Sequence, residues 1–492
     1  MTDIHSISWT LVLPFVVYFI GMIGIGWFFY FRTRNLSDYV LGGRRLNSWV
    51  TSLSAQASDM SGWLLLGLPG YAYIAGMEAV WIAAGLIAGT YLNWKFVAPR
   101  LRQQTEKWGD AITLPDFFCN RFSVKTPALR LLSALFIFVF FLIYTSSGFV
   151  AGAKLFGSIF GLSYIQALCI GVIIIISYIF LGGFLAVCWT DFIQGSIMFI
   201  AIIVVPFLVM HASGGPGATL NELNQINPHL LNPMTDQYGA SLSALTIFSL
   251  AAWGLGYFGQ PHIMARFMAI RQVQEISKAR KIAMGWVVAC LTGAVLIGLF
   301  ANAYFIEALP EALSETVFLK LMQSRLVPSM IAGCLLAAVL AAIMSTADSQ
   351  LLVASSTFTE DIYRFFFRKK AGQKELIWIG RLSVIAIAVI AFFIAMNPEA
   401  TVLDLVAYAW AGFGAAFGPV ILLSLFWKGV RERGVIAGIV TGGITVIIWK
   451  HLQGGWFDLY EILPGFLLSG IAVVVFSATK TIDKKSRSLS GR

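Results

Sequence analysis

Asp59 lies in Ser54-Ala55-Gln56-Ala57-Ser58-Asp59-Met60-Ser61-Gly62-Trp63, a run of small and polar residues with apolar sequence on both sides. A carboxylate in such surroundings costs several kcal/mol unless it is paired or faces water. No Lys or Arg occurs between Val50 and Trp94 to pair with it. A bound cation is the natural partner; the plain alternative is a helix cap satisfying orphan amides, and the two are compatible. A second patch, Ala342-Ile343-Met344-Ser345-Thr346-Ala347-Asp348-Ser349, sets two hydroxyls side by side in another apolar run. Hydroxyls joined by backbone carbonyls suit a hard monovalent cation, which prefers oxygen ligands. Ser and Thr in apolar helices equally bond to their own backbone or to a neighbouring helix. A third segment, Trp253-Gly254-Leu255-Gly256-Tyr257-Phe258-Gly259-Gln260-Pro261, loses helix propensity to three glycines and a proline. Beside these breaks, Trp63, Tyr144, Trp253 and Tyr257 offer apolar walls with polar tips for a small amphipathic solute. With 69 aromatics in the chain, most others serve packing or interfacial belts. Asp191, following Gly182-Gly183 and Trp189-Thr190, reads as a carboxylate at the inner mouth of a helix. There it guides an ion or bonds to nearby amides.

The elements that position these residues follow from composition. Of 492 residues, 58% are hydrophobic and 12% charged, against about 25% charged in soluble proteins, which excludes a soluble enzyme. Apolar runs of about 20 residues, the length that spans a bilayer core, occur at 9–31, 48–75, 79–98, 128–156, 163–181, 190–211 and 243–264. They continue at 283–306, 327–356, 377–397, 402–427, 434–450 and 461–479, thirteen in all. With the N-terminus outside and the C-terminus in the cytoplasm, thirty of the 34 basic residues fall on inner segments, as the positive-inside rule requires. A miscounted span would scramble that alternation. Asp59, Asp191, Asp348 and Asp404 are assigned to the membrane or its inner mouth. The net charge of +10 therefore indicates orientation and contact of the basic loops and the tail Lys484, Lys485 and Arg487 with an anionic inner leaflet, rather than nucleic acid. Five cysteines without metal spacing read as small hydrophobes, and the long external loop 212–242 as a lid or a surface loop.

Broken helices that expose backbone to a ligand near the bilayer midplane are a device of secondary transporters. The breaks at Asp59 and Trp253 lie five spans apart and so enter from opposite sides. This divides the single transporter domain 1–492 into an extra helix 9–31, a five-helix unit 48–211, an inverted counterpart 243–427, two C-terminal helices 434–479 and a basic tail 480–492.

The ordered set of segments resembles the sodium/solute symporter family over nearly the whole chain. It comprises Tyr39-Val40-Leu41-Gly42-Gly43-Arg44, Ala57-Ser58-Asp59-Met60-Ser61-Gly62-Trp63, Gly182-Gly183-Phe184-Leu185-Ala186-Val187, the Trp253–Pro261 run with His262, Met344-Ser345-Thr346 and Gly414-Ala415-Ala416-Phe417-Gly418-Pro419. The Asp59 and Trp253 segments are similar to the proline-transporting branch. The resemblance implies an all-α polytopic membrane protein of the leucine-transporter type, with an inverted five-helix repeat and discontinuous helices. It implies sodium ligation by the carbonyls of Ala57, Met60 and Ala342 and the hydroxyls of Ser345 and Thr346, supported by Asp59. Asp191 would act on the ion-release path, and Trp63, Tyr144, Trp253, Tyr257 and Pro261 would shape the solute pocket. Gln56 departs from the glycine of the family pattern.

The function so implied is import of L-proline coupled to inward sodium flow across a bacterial cytoplasmic membrane by alternating access. No cofactor is implied other than sodium as coupling ion. The alternative is the same scaffold carrying another amino acid, a betaine or a carboxylate, with sodium or with a proton titrating at Asp59 or His262. An enzyme is not expected: no HExxH or GxSxG occurs, and the five histidines lie on separate segments.

Overall fold

The computed structural model describes residues 8–123, 127–179, 183–324 and 326–478. Gly182 and the basic tail 480–492 lie outside the described residues. The chain folds into α1 (Trp9–Tyr30), α2a (Ser48–Asp59) and α2b (63–75), α3 (80–107), α4 (Ala128–Phe160), α5 (Tyr164–Ile179) and α6 (Phe184–Ala212). The second half comprises α7a (Ala244–Gly259) and α7b (Pro261–Ala269), α8 (Ile276–Tyr304), α9 (Ser329–Phe367), α10 (Gln373–Ile394), α11 (Val402–Phe426), α12 (Glu432–Trp449) and α13 (Ile462–Ala478). These are the thirteen spans expected, two of them broken. Several helices outrun their apolar stretches: α3 continues to Lys107, α6 begins at Phe184, α8 at Ile276, and α9 ends in a π-helical stretch, Phe358–Phe367. Hydropathy ends where the hydrocarbon ends, whereas helical hydrogen bonding carries on into the polar layer.

Each break has a local cause. In α2 the regular helix ends at Met60 (φ −87°, ψ 81°), and Ser61 and Gly62 follow before the chain turns helical again at Trp63. In α7 the glycines tighten residues Ala252–Gly259 into a 3-10 run; Gln260 is extended, and Pro261 opens α7b, where its missing N–H costs nothing. The tightened run is gripped on two sides. Gly85 and Gly89 of α3 meet the backbone of Ala251 and Gly254 so closely that neither could carry a Cβ, and Gly256 meets the indole of Trp410 in α11 in the same way. Small residues at i and i+4 are what lets two membrane helices approach backbone to backbone.

The loop 212–242 carries regular structure. Pro216–Ile226 forms a helix and Pro228–Leu231 a 3-10 turn. Leu223 and Leu230 pack on Leu299 of α8, and the Trp81 indole donates to the Pro233 carbonyl at 2.8 Å. The loop thus packs over the N-terminal end of α3 and the C-terminal end of α8. All five cysteines are free, and Cys119, Cys188 and Cys290 are buried as small apolar side chains. Asp404, assigned above to the membrane, is instead exposed at the start of α11, where Thr401 caps the helix.

The close approach of α3 to α7a gives a direct test. Gly89→Leu is expected to destabilise the purified protein by about 1–3 kcal/mol through overpacking, read as a lowered thermal midpoint. Gly285→Ala in α8, where a Cβ meets nothing within 4 Å, should leave the midpoint unchanged or raise it. Equal midpoints for Gly89→Leu and the parent would disprove the tight contact.

Candidate functional site

The two breaks meet at the centre of the bundle, and Asp59 is their common point. Its side chain is completely buried. The Tyr257 hydroxyl donates to Asp59 Oδ2 at 2.5 Å, while Oδ1 has no hydrogen-bond partner. Its backbone carbonyl, freed by the end of α2a, accepts from the Trp63 indole at 3.2 Å and the Tyr144 hydroxyl at 3.1 Å. Three of the aromatics expected to face a solute therefore direct their polar tips at one residue. Trp253 joins them through ring contacts, 6.0 Å from Trp63 and stacked at 5.4 Å on Tyr460. All four expected aromatics are at most 6% exposed, so the centre is closed to both faces. Pro261 does not join this group; it lines a separate small cavity with Val40, Thr113, Ala265 and Thr357.

Two residues before Asp59, the Ala57 carbonyl accepts from Ser345 Oγ at 2.8 Å and Thr346 Oγ1 at 3.3 Å across the interface with α9. Ser345 Oγ also lies 3.2 Å from the Ala342 carbonyl. Four of the five oxygens expected to hold a cation are thus linked by a chain of hydrogen bonds, where the end of α2a touches the middle of α9. Met60, the fifth, caps α2a, with its N–H bonded to the Gln56 carbonyl at 2.9 Å.

Asp191 differs from its sequence reading. Because α6 begins at Phe184, Asp191 stands two turns inside the helix and is completely buried rather than at a mouth. It forms an ion pair with Arg266 Nη2 at 3.0 Å and accepts from Ser54 Oγ at 2.6 Å. Arg266, counted from sequence among the residues of an inner loop, is likewise fully buried on α7b. Its guanidinium also donates to Ser54 Oγ (3.0 Å), to the His262 carbonyl (3.1 Å) and to Ser349 Oγ. Ser349 in turn donates to the Ser345 carbonyl at 2.9 Å. One continuous network therefore ties α2a, α6, α7b and α9 together and ends at a residue of the oxygen cluster.

Further contributors come from α3 and α11. Asn93 Nδ2 donates to the Tyr257 carbonyl at 3.0 Å, and the adjacent Trp94 indole donates to Gln56 Oε1 at 3.2 Å. Both lie at the start of a π-helical turn, Asn93–Val97, a distortion that often marks functional positions. Trp410 donates to the Trp253 carbonyl at 2.7 Å, and Gln260 Nε2 bridges the carbonyls of Gly256 and Trp410. The sequence carried one signal for the α3 pair: Thr90 and Asn93 are polar residues inside an apolar span. Trp410 and Tyr460 carried none that separates them from other aromatics.

Asn93→Leu removes the one side-chain donor to the Tyr257 carbonyl among the described residues and is expected to cost about 1–3 kcal/mol. Thermal unfolding of the purified variant should show the loss, and Asn93→Gln should recover part of it.

Residues 39–442 match the sodium:solute symporter family. The sodium/proline symporter of Escherichia coli (strain K12) is 51% identical over 477 residues, covering 96% of this chain and 93% of that protein. The osmoregulated proline transporter OpuE of Bacillus subtilis (strain 168) is 48% identical, covering 98% and 97%. Among solved structures, a Na+-coupled sialic acid symporter in a substrate-bound outward-open state superposes with a TM-score of 0.79 at 18% identity, over 96% of this chain and 98% of that one. MhsT in complex with L-phenylalanine gives 0.54 at 15% identity, over 87% and 98%. The likeness to these structures establishes the fold as a polytopic bundle of the leucine-transporter type, with an inverted five-helix repeat and discontinuous helices.

Proposed function

Because the chain belongs to the sodium:solute symporter family, we propose that it imports L-proline together with sodium by alternating access. The observation that carries this reading is the oxygen cluster of Ala57, Ala342, Ser345 and Thr346 at the α2 break, two residues from a buried carboxylate with one unfilled acceptor. The names of relatives that are about half identical over nearly the full length supply the choice of proline.

Sodium enters as a substrate. The hydroxyls of Ser345 and Thr346 now direct their protons at the Ala57 carbonyl. A hydroxyl proton rotates freely, so an arriving cation turns both away and takes the lone pairs and carbonyls as ligands, with the Met60 carbonyl and the charge of Asp59 completing the site. This ties α2a to α9 through an ion and holds the carbonyl side of the α2 break in place. Trp63, Tyr144, Trp253 and Tyr257 then present their rings as walls for the pyrrolidine, while Pro261, in its separate cavity, stands apart from them. Ion and solute each stabilise the geometry the other needs, and such coupling is reciprocal. Asp191 belongs to the release step: opening the inner side requires α7b to move against α6, and the Arg266 pair to open to water. Residues 48–211 and 243–427 are the two repeats, and 9–31 and 434–479 flank them. In the bacterial cytoplasmic membrane, with the N-terminus outside, a potential of about 150 mV contributes about 3.5 kcal/mol per sodium, enough for concentration by a few hundred-fold.

In proteoliposomes, labelled L-proline should accumulate when an inward sodium gradient is imposed and not when choline replaces sodium. No saturable proline uptake would overturn the choice of solute, and uptake that follows a pH gradient without sodium would overturn the choice of ion. Ser345→Ala and Asp59→Cys are each expected to lower apparent sodium affinity at least tenfold, read as the sodium concentration for half-maximal uptake. An unchanged value for either would remove that residue from the site. Asp191→Asn should lower the maximal rate more than it changes the half-saturating sodium concentration, and the reverse pattern would argue against a release role.

A further inference from the structure

The starts of α2a and α8 and the first turns of α6 leave a crevice on the face where the basic loops gather. Its apolar side is made by Trp49, Trp189 and Phe192 and its polar side by Arg271, Glu275 and Lys278. Trp49 and Trp189 are 52% and 38% exposed, so neither ring is committed to the core. Glu275 is heavily engaged. It pairs with Arg271, and its other oxygen accepts from the backbone N–H of Ser48 at 3.0 Å and from Ser48 Oγ at 2.9 Å. The Arg271 side chain remains 58% exposed, and Lys278 forms no ion pair among the described residues. The crevice therefore carries excess positive charge above two amphipathic rings, at the depth where a lipid headgroup meets its acyl chains.

We propose that this crevice is a binding site for one anionic phospholipid. The phosphodiester lies between Arg271 and Lys278, the guanidinium engaging two of its oxygens, and the first acyl carbons run along Trp49, Trp189 and Phe192. Surface charge alone would attract any anionic lipid diffusely; paired cations over paired rings hold one in place. Glu275 links Arg271 to the first turn of α2a, so a phosphate that shares Arg271 bears directly on the helix whose far end carries Ala57 and Asp59. The proposal rests on the reading of this face as cytoplasmic, but its test does not depend on the solute or ion transported.

The test is native mass spectrometry of the full-length protein released from nanodiscs of phosphatidylcholine and phosphatidylglycerol in equal parts. The parent is expected to retain phosphatidylglycerol in preference to phosphatidylcholine. Arg271→Gln combined with Lys278→Gln should reduce the retained phosphatidylglycerol at least threefold, and Lys278→Gln alone, which removes only an exposed unpaired amine, should give a smaller loss in the same direction. Arg271→Lys should keep most of the retention. Lys369→Gln combined with Lys374→Gln, which removes two charges from another basic loop, should leave it intact. Undiminished retention in the Arg271/Lys278 variant overturns the proposal, as does an equal loss in the Lys369/Lys374 control, which would make the attraction diffuse.

Discussion

A helix broken inside a membrane leaves backbone carbonyls and amides that water cannot reach, and every one of them must find a partner within the protein. The arrangement of this protein's centre follows from that requirement. The Asp59 carbonyl takes an indole and a phenol, the Trp253 carbonyl takes the indole of Trp410, and the Tyr257 carbonyl takes the Asn93 amide. Gly256 shares the Gln260 amide with Trp410. These donors are indole, amide and phenol groups held in place by packing. The Ala57 carbonyl is served differently, by two aliphatic hydroxyls. Their protons can turn without any heavy atom moving, which converts both groups from donors into ligands. The Ala57 carbonyl is thus satisfied by switchable aliphatic hydroxyls, and this difference in donor chemistry sets its oxygen cluster apart from the bracing around it.

The same constraint explains why closure is built from charges at both ends. On one side of the centre, Arg266 and Asp191 are completely buried; the guanidinium donates to Ser54, Ser349 and the His262 carbonyl, while Asp191 accepts at Oδ2 alone and its Oδ1 has no hydrogen-bond partner among the described residues. At the start of α11, Glu315 pairs with Lys154 and accepts from the first amides of that helix, Val402 at 2.9 Å and Leu403 at 2.8 Å. A buried ion pair adds little net stability against an apolar core, yet removing one partner is costly because the other is stranded. Such pairs are stable when fully closed and when fully wetted, and poor in between. They favour two discrete arrangements over a continuum, which is what a gate requires.

The spans were legible because hydropathy and loop charge are one-dimensional signals, and the breaks because glycine, proline and a lone carboxylate are conspicuous in apolar sequence. The oxygen cluster was legible through Ser345 and Thr346, whose adjacent hydroxyls stand out in an apolar run although they serve backbone or interhelical bonding equally well. Arg266 was not. Its neighbours Arg271, Lys278, Arg280 and Lys281 give the whole stretch the composition of a cytoplasmic loop, and only the extension of α7b to Ala269 carries it into the bundle. Asp191 was misplaced for the related reason that α6 starts six residues before its strongly apolar run. Trp410, Tyr460 and Gln260 act on backbone atoms remote in sequence, and such pairing leaves no local pattern.

Gln56, a polar side chain buried in α2a, has a definite physical role. Its side chain accepts from the Trp94 indole, and Trp94 packs edge to face on Phe267 of α7b at 4.6 Å. The start of α2a is joined to the end of α7b a second time, where the Leu46 N–H donates to Ala269 at 3.2 Å and the Arg271 N–H to Leu46 at 2.9 Å. A third link runs from Ser54 to Arg266. A glycine at position 56 would leave the backbone pairing and the Ser54 contact but would free α3 from α2a. With glutamine, α2a, the π-helical turn of α3 and α7b are connected side chain to side chain. The half-helix that carries Ala57 and the half-helix that opens at Pro261 are thereby joined at three places, so that neither can tilt far without straining a contact to the other.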